Sequence, residues 1–326
     1  MASPRPAISI VKCLSPRKLT NVTNIERLNP HINQQNKLTV QRVIQNSLGS
    51  LHSKIDSPYK KKIITEGITD KNWTVLGNGG FGTVYKVYYK GEAVAAKVIK
   101  KNQQKNLIKI MEKEVAYLRH SNIVKILKVD EGPALTLITM ELCGNSLQEV
   151  LQKNSISIQQ KIHIWKSISK ALIYCHKMHV IHADVKPKNV LMGQDKKPKL
   201  ADFGSAVFTN DPYPLNFFHG TPGYAAPEVV QNKALTPNSD IYSLGVLAWQ
   251  MLSRKSPFEG LHKHTILYLT GKGITPPDKE LADGCNGKYK DLYRKCWNEI
   301  PEDRPNLLII MNQLNQLENN CKEASH

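Results

Sequence analysis

Between a helical stretch and the apolar pair Val190-Leu191, the chain reads His182-Ala183-Asp184-Val185-Lys186-Pro187-Lys188-Asn189. An aspartate is followed by a lysine two residues on and an asparagine five residues on. Asp184 can accept the proton of a hydroxyl and aim its oxygen. Lys186 can offset negative charge on a group in transfer, and the Asn189 amide oxygen can ligate a hard divalent cation. Asp202-Phe203-Gly204 follows thirteen residues after Asn189, behind the strand-like Pro198-Lys199-Leu200-Ala201. Asp202 is a second oxygen ligand, placed to hold a magnesium ion that bridges two phosphates.

Upstream, Leu76 leads into Gly77-Asn78-Gly79-Gly80-Phe81-Gly82-Thr83-Val84. Glycines let backbone amides approach phosphates without a side chain in the way. A dinucleotide fold uses a similar string but needs a helix directly after it. Here a hairpin pattern follows instead. Lys97, in Ala95-Ala96-Lys97, lies fifteen residues after Gly82 at the end of a strand-like run, within reach of phosphates under the glycine turn. It needs a carboxylate on the next helix to hold it extended, and Glu112 and Glu114 are both candidates.

The elements that must carry these groups are legible from periodicity. Segment 73–100 reads strand, glycine turn, strand, turn at Lys90-Gly91-Glu92, strand. Residues 104–119 read as a lysine-rich helix and 135–142 as a strand. From 146 onward helical spacing dominates, notably in Ile162–His179 and Ser239–Ser253. Residues 1–72 are basic, polar and poor in aromatics, which predicts a largely flexible extension, with one helically spaced piece from Leu38 to Leu51.

Composition bounds the function class. A hydrophobic fraction of 40% over 326 residues suits a sizeable core. No apolar run is long enough for a membrane span or a signal peptide, so a cytoplasmic protein without membrane contact is expected. The six cysteines form no CxxC pair and predict free thiols. The 45 Lys and Arg against 27 Asp and Glu give +18, a field that suits a triphosphate ligand. The lysines form no long tract with interleaved aromatics, so nucleic acid is not the expected partner. A basic nucleic-acid-binding role for 1–72 is the alternative that a steep salt dependence would reveal.

Taken in order, these strings resemble the eukaryotic protein-kinase domain over residues from about 73 to 317. The resemblance implies a two-lobed α+β fold. A small antiparallel-sheet lobe with one helix would span 73–144, a larger mainly helical lobe 145–317, and a polar tail 318–326. It implies ATP and Mg2+ as cofactors. ATP would be bound by Leu76, the glycine string through Val84, Ala95 and Lys97. Met140, Glu141 and Cys143 would form a hinge for adenine, with Met140 as gatekeeper. Val84, Ala95 and Leu191 would sandwich the ring. Asp202, Phe203, Gly204, Thr221 and Glu228 would mark the activation segment. Asp240 would steady the catalytic loop, and Arg304 would pair with Glu228. A scaffold that kept the fold but not the activity would lack Lys97, Asp184, Asn189 or Asp202, and all four are present.

Lys186-Pro187-Lys188 and Thr221 resemble serine/threonine kinases rather than tyrosine kinases. Within that class GNGGFGTVYK, LRHSNIV, HADVKPKNVL, YPLNFFHGTPGYAAPE and LTPNSDIYSLGVLAWQM are most similar to the Mos family. That family's pattern sets the helix glutamate eight residues before the His of LRH, which favours Glu112 over Glu114. It implies a monomeric MAP kinase kinase kinase acting on a MAP kinase kinase in oocyte meiosis. Raf-like, mixed-lineage and receptor-interacting kinases are the neighbouring alternatives. Two features depart from the usual pattern. Ala183 stands where most regulated kinases carry an arginine that grips an activation-segment phosphate, which predicts activity without that phosphate. The extension carries Ser-Pro pairs at Ser3, Ser15 and Ser57, and Ser3 is the candidate for feedback phosphorylation.

Overall fold

The computed structural model describes residues 74–79, 82–100, 111–131, 135–209, 219–278, 281 and 287–323. They fall within the unit Ser47–His326. The expected extension 1–72, its helical piece, Ser3, Ser15 and Ser57, the glycine-turn tip Gly80-Phe81, and 104–110 of the lysine-rich stretch lie outside them.

The first lobe is built on one antiparallel sheet of β1 (Thr74–Gly79), β2 (Gly82–Tyr89), β3 (Glu92–Lys100), β4 (Ile126–Glu131) and β5 (Leu135–Glu141), in the order β1-β2-β3-β5-β4. Its central hairpin is set by Lys90 and Gly91, at φ 53° and 82°, the paired positive angles of a tight two-residue turn. That turn fixes Tyr89 opposite Glu92, and from there Lys97 opposite Val84. β3 then pairs with β5 so that Ala95 faces Met140 and Lys97 faces Ile138. Directly opposed residues share a sheet face, so Val84, Ala95, Lys97, Ile138 and Met140 line one side. Gly82 sits at φ 142°, where a Cβ would meet the Val98 carbonyl oxygen at 2.3 Å, so no other residue fits this close crossing of β2 and β3. Below the sheet, α1 (Met111–Glu114) turns a buried Glu112 inward.

The second lobe is helical, with α2 (Leu147–Lys153), α3 (Ile158–Lys177), α4 (Pro227–Val230), α5 (Pro237–Ser253), α6 (Lys263–Gly271), α7 (Lys288–Cys296) and α8 (Leu307–Glu323). Two short antiparallel strand pairs complete it, β6 (Val180–Ile181) with β9 (Val207–Phe208), and the hairpin β7 (Val190–Met192) with β8 (Pro198–Leu200). The starts of α2 and α3 follow from capping boxes, Ser146 with Glu149 and Ser157 with Gln160, each satisfying two otherwise orphan backbone groups. α5 has Pro237 in its first turn, and from Ser239 to Met251 every residue is buried. It is the axis of the lobe: a helix apolar all round must be covered on every side. Trp165, Tyr289, Tyr293 and Trp297 continue that core through edge-on ring contacts.

One boundary differs from expectation. The tail expected from 318 is helix as far as Glu323. Leu314 and Leu317 are buried at helical spacing, and Glu318 meets Lys166 of α3 at 2.8 Å. Polar composition marked this as tail, but the helix that carries Leu314 and Leu317 meets no Pro or Gly to stop it. Among the described residues no helix is long and apolar enough to cross a membrane.

α5 and α7 approach closely at Gly245, where an added Cβ would lie 2.7 Å from the Cys296 Cβ and 3.1 Å from the Tyr293 carbonyl oxygen. Gly245→Ala is expected to destabilise the protein by about 1–3 kcal/mol through overpacking. Differential scanning fluorimetry checks this as a lowered unfolding midpoint, and an unchanged or raised midpoint would contradict the packing described.

Candidate active site

Side chains from several elements of both lobes converge here. From the first lobe, Lys97 on β3 reaches across to two carboxylates. Its ammonium hydrogen-bonds to Glu112 and lies 2.7 Å from Asp202 Oδ1. Of Glu112 and Glu114, it is Glu112, the one favoured on the family pattern, whose carboxylate meets Lys97. Lys97 and Glu112 are buried, while Asp202 keeps about a third of its side chain exposed, at 35%. Burial alone would push the Lys97 ammonium down in pKa, but Asp202 and Glu112 outweigh it and hold it above 10.5. Burial likewise works to raise Asp202, yet the Lys97 charge, its hydrogen bond, His182 and the Gly204 amide hold the carboxyl below 3.8. The pair is therefore charged throughout the neutral range.

The second centre is the turn between β6 and β7. Asp184 is buried, and three donors fix its carboxylate. Lys186 Nζ lies 2.6 Å and Asn189 Nδ2 3.0 Å from Oδ2, and the Thr221 hydroxyl donates to Oδ1 at 2.7 Å. Lys186 also donates to the Thr221 hydroxyl at 2.6 Å, closing a ring of three side chains. A carboxylate has roughly four acceptor positions, so Oδ1 retains one for an incoming hydroxyl. Asn189 spends its amide NH2 on Asp184, at both the carboxylate and the main-chain oxygen, which turns its amide oxygen the other way. The Ala201 amide donates to the Asn189 carbonyl at 2.8 Å, so Asn189 stands next to Asp202.

This turn is strained and held from beneath. Ala183 and Asp202 both adopt φ 62°, a region that costs non-glycine residues about 1–3 kcal/mol each. The fully buried Asp240, from the first turn of α5, accepts from the His182 and Ala183 amides at 2.9 and 2.8 Å and meets His176 Nε2 at 2.8 Å. Burial opposes its ionisation, but the His176 hydrogen bond and charge, His182 and these amides hold it below 3.8. The His182 ring stacks edge-on against Phe203 at 4.8 Å, joining the loop to the residue after Asp202.

At the other end of the cleft, Met140 and Glu141 close β5, and Cys143 follows, half-buried, with its thiol pushed by burial to about 11. Leu191 lies on β7 and bridges Ser146. Leu76, Gly77, Asn78, Gly79 and Thr83 border the turn of β1 and β2 above. Phe203, Gly204, Thr221 and Glu228 follow Asp202 in chain order, and Glu228 makes a two-pronged buried ion pair with Arg304, at 2.8 Å for each prong. Reasoning from sequence missed three connections: Thr221 onto Asp184, His176 onto Asp240, and Lys199 onto Glu141. Thr221 alone carried a signal, its place in Gly220-Thr221-Pro222.

With this geometry in view, the comparisons with known proteins are specific. Residues 71–316 match the protein kinase domain, and the chain belongs to that family. The domain has the two-lobed kinase fold and is of the serine/threonine protein kinase kind, a family that uses ATP and a divalent metal on protein substrates. It is 32% identical over 254 residues to serine/threonine-protein kinase mos of Patiria pectinifera, covering 73% of this chain and 72% of that one. It is 30% identical over 256 residues to mitogen-activated protein kinase kinase kinase 7 of Drosophila melanogaster, covering 74% and 36%. It is 31% identical over 253 residues to the carbon catabolite-derepressing protein kinase of Saccharomyces cerevisiae, covering 74% and 40%. The chain thus spans well under half the length of the last two.

Because the folded pKa of Asp240 lies below its ordinary value, the stability it contributes is present above pH 3.8 and is lost as pH falls through that lower folded value. Asp240→Asn is expected to flatten this acid limb, and stranding the loop amides should cost about 1–3 kcal/mol per donor at neutral pH. Denaturant unfolding from pH 3 to 7 checks both (the range is roughly that of carboxylate titration). Parallel curves for wild type and variant would contradict the role given to Asp240.

Proposed function

We propose that this chain is a Mos-like MAP kinase kinase kinase that phosphorylates a MAP kinase kinase on serine or threonine, in the cytoplasm of the maturing oocyte and as a monomer. The observation that carries the catalytic part is the pairing of two centres in one cleft: Lys97 tied to Glu112 and Asp202, and Asp184 ringed by Lys186, Thr221 and Asn189. The narrower assignment is supported by the mos relative, which matches over nearly equal shares of both chains, and by relatives named as mitogen-activated protein kinase kinase kinases.

In this reading Asp184 Oδ1 takes the acceptor hydroxyl, orients its oxygen and receives its proton. Lys186 sits beside it to offset charge on the phosphoryl group in transfer. Lys97, held extended by Glu112, contacts the α- and β-phosphates. The glycine turn covers the phosphates, and Val84, Ala95, Met140, Glu141, Cys143 and Leu191 frame adenine. The Asp202 carboxylate and the Asn189 amide oxygen are hard oxygen donors that fit Mg2+. Bound there, Mg2+ would supply positive charge beside the phosphates.

Incubation with labelled ATP and a panel of MAP kinase kinases tests the substrate, with Asp184→Asn as control. Wild type should label at least one panel member on serine or threonine. Asp184→Asn should lose roughly two to three orders of magnitude in turnover while still binding nucleotide. Labelling of unrelated proteins but of no MAP kinase kinase would overturn the Mos-like assignment.

Ala183 carries a second prediction. It is 8% exposed and its amide is spent on Asp240, so this position offers no cation to a phosphate. The end of the activation segment is tied down without one, through Thr221 to Lys186 and through His219 to the Ser205 carbonyl at 3.0 Å. Phosphatase-treated protein is expected to keep its activity. Protein that stays inert until Ser205, Thr209 or Tyr213 (the last outside the described residues) is phosphorylated would contradict this.

A further inference from the structure

β8 is only three residues long, yet it is stitched to the first lobe at every position. Asn122 Nδ2 donates to the Pro198 carbonyl at 2.8 Å. The Leu200 amide donates to the Asn122 carbonyl at 2.8 Å, and the Val124 amide donates to the Leu200 carbonyl at 2.9 Å. Between them the Lys199 side chain reaches Glu141, with Nζ 2.9 Å from each carboxylate oxygen. The Lys125 amide also donates to that carboxylate, at 2.7 Å. Lys199 is 13% and Glu141 29% exposed, so this is a sheltered, three-partner junction and not a loose surface pair.

Its position matters more than its strength. Three residues after Lys199 the same segment presents Asp202 to Lys97. On the facing sheet Lys97 is opposite Ile138, and Glu141 lies three residues further along β5, roughly 10 Å away at strand spacing. Two ion pairs therefore tie one short segment of the second lobe to β3 and β5 of the first, beside the Asn122–Pro198, Asn122–Leu200 and Val124–Leu200 hydrogen bonds. Glu141 pairs with Val94, one residue out of step with Ala95 and Met140, so its carboxylate meets Lys199 on the sheet face away from the cleft residues while its backbone stays beside Met140 in β5.

We propose that Lys199 is a positioning residue for the nucleotide: by gripping the Glu141 carboxylate it holds the adenine-framing end of β5 in register with Asp202. The inference rests on the reading of this cleft as the ATP site. Adenine keeps the same contacts before and during phosphoryl transfer, so loosening its end removes binding that is uniform between ground and transition states. Such a loss raises KM and spares kcat.

The test uses the full chain, a generic serine/threonine peptide substrate at saturation, and calorimetric binding of ADP. Lys199→Met is expected to raise the KM for ATP about five- to tenfold and to weaken ADP binding by the same factor, with kcat within about twofold. Lys199→Arg keeps a two-pronged cation and should restore wild-type KM. Lys199→Gln, which also removes the cation, should reproduce Lys199→Met and serves if that variant does not fold. An unchanged KM, or a rise in kcat that marked the pair as a restraint, would each overturn the proposal. Wild type that binds no nucleotide would overturn the reading of the cleft together with this inference. Wild type that binds while Lys199→Met binds equally well would overturn this inference alone.

Discussion

A lysine ammonium shared between two carboxylates joins the halves of this molecule. Lys97 comes from the central strand of the sheet, Glu112 from the helix beneath it and Asp202 from the start of the activation segment. Taking three charges out of water is expensive, and only close mutual pairing compensates. The interaction therefore acts as a constraint on everything that brings these residues together. The hairpin register delivers Lys97 to the cleft face, α1 must turn Glu112 inward, and the left-handed backbone at Asp202 must be held in place.

The second lobe supplies that hold through buried polar groups and not through loop stiffness. Asp240 sits at the start of the most buried helix and reaches up to two amides of the catalytic turn. Asp184, in that turn, is in its own right fixed by three donors, so the carboxylate has little rotational freedom left. Positioning of this kind is the main contribution a protein makes to phosphoryl transfer, where little covalent chemistry falls to side chains. The Glu228–Arg304 pair extends the same logic to the far end of the activation segment, anchoring it to the segment before α8.

How far the sequence speaks for itself depends on the range of the interaction. Glycine spacing, strand alternation around Lys90-Gly91 and the helical stretches of α3 and α5 are local, and they were legible. The spacing of Asp184, Lys186 and Asn189 was legible for the same reason, since one short turn holds them. The choice between Glu112 and Glu114 was not decidable from helical spacing, because both fall in one helical turn; the family pattern favoured Glu112, and in the fold it is Glu112 that meets Lys97. Lys199 and Glu141 are 58 residues apart and no local spacing pairs them, so their meeting appears only once the lobes are placed. The end of α8 was misjudged because a polar stretch reads like a tail when its buried neighbours, Leu314 and Leu317, are few.

The most direct measurement is a crystal structure with a non-hydrolysable ATP analogue and Mg2+. The account expects Lys97 Nζ within about 3 Å of a phosphate oxygen while still paired with Glu112, and Asp184 and Asp202 facing the same triphosphate. Lys97, Asp184 and Asp202 pointing into separate solvent regions, with the analogue bound elsewhere, would contradict it.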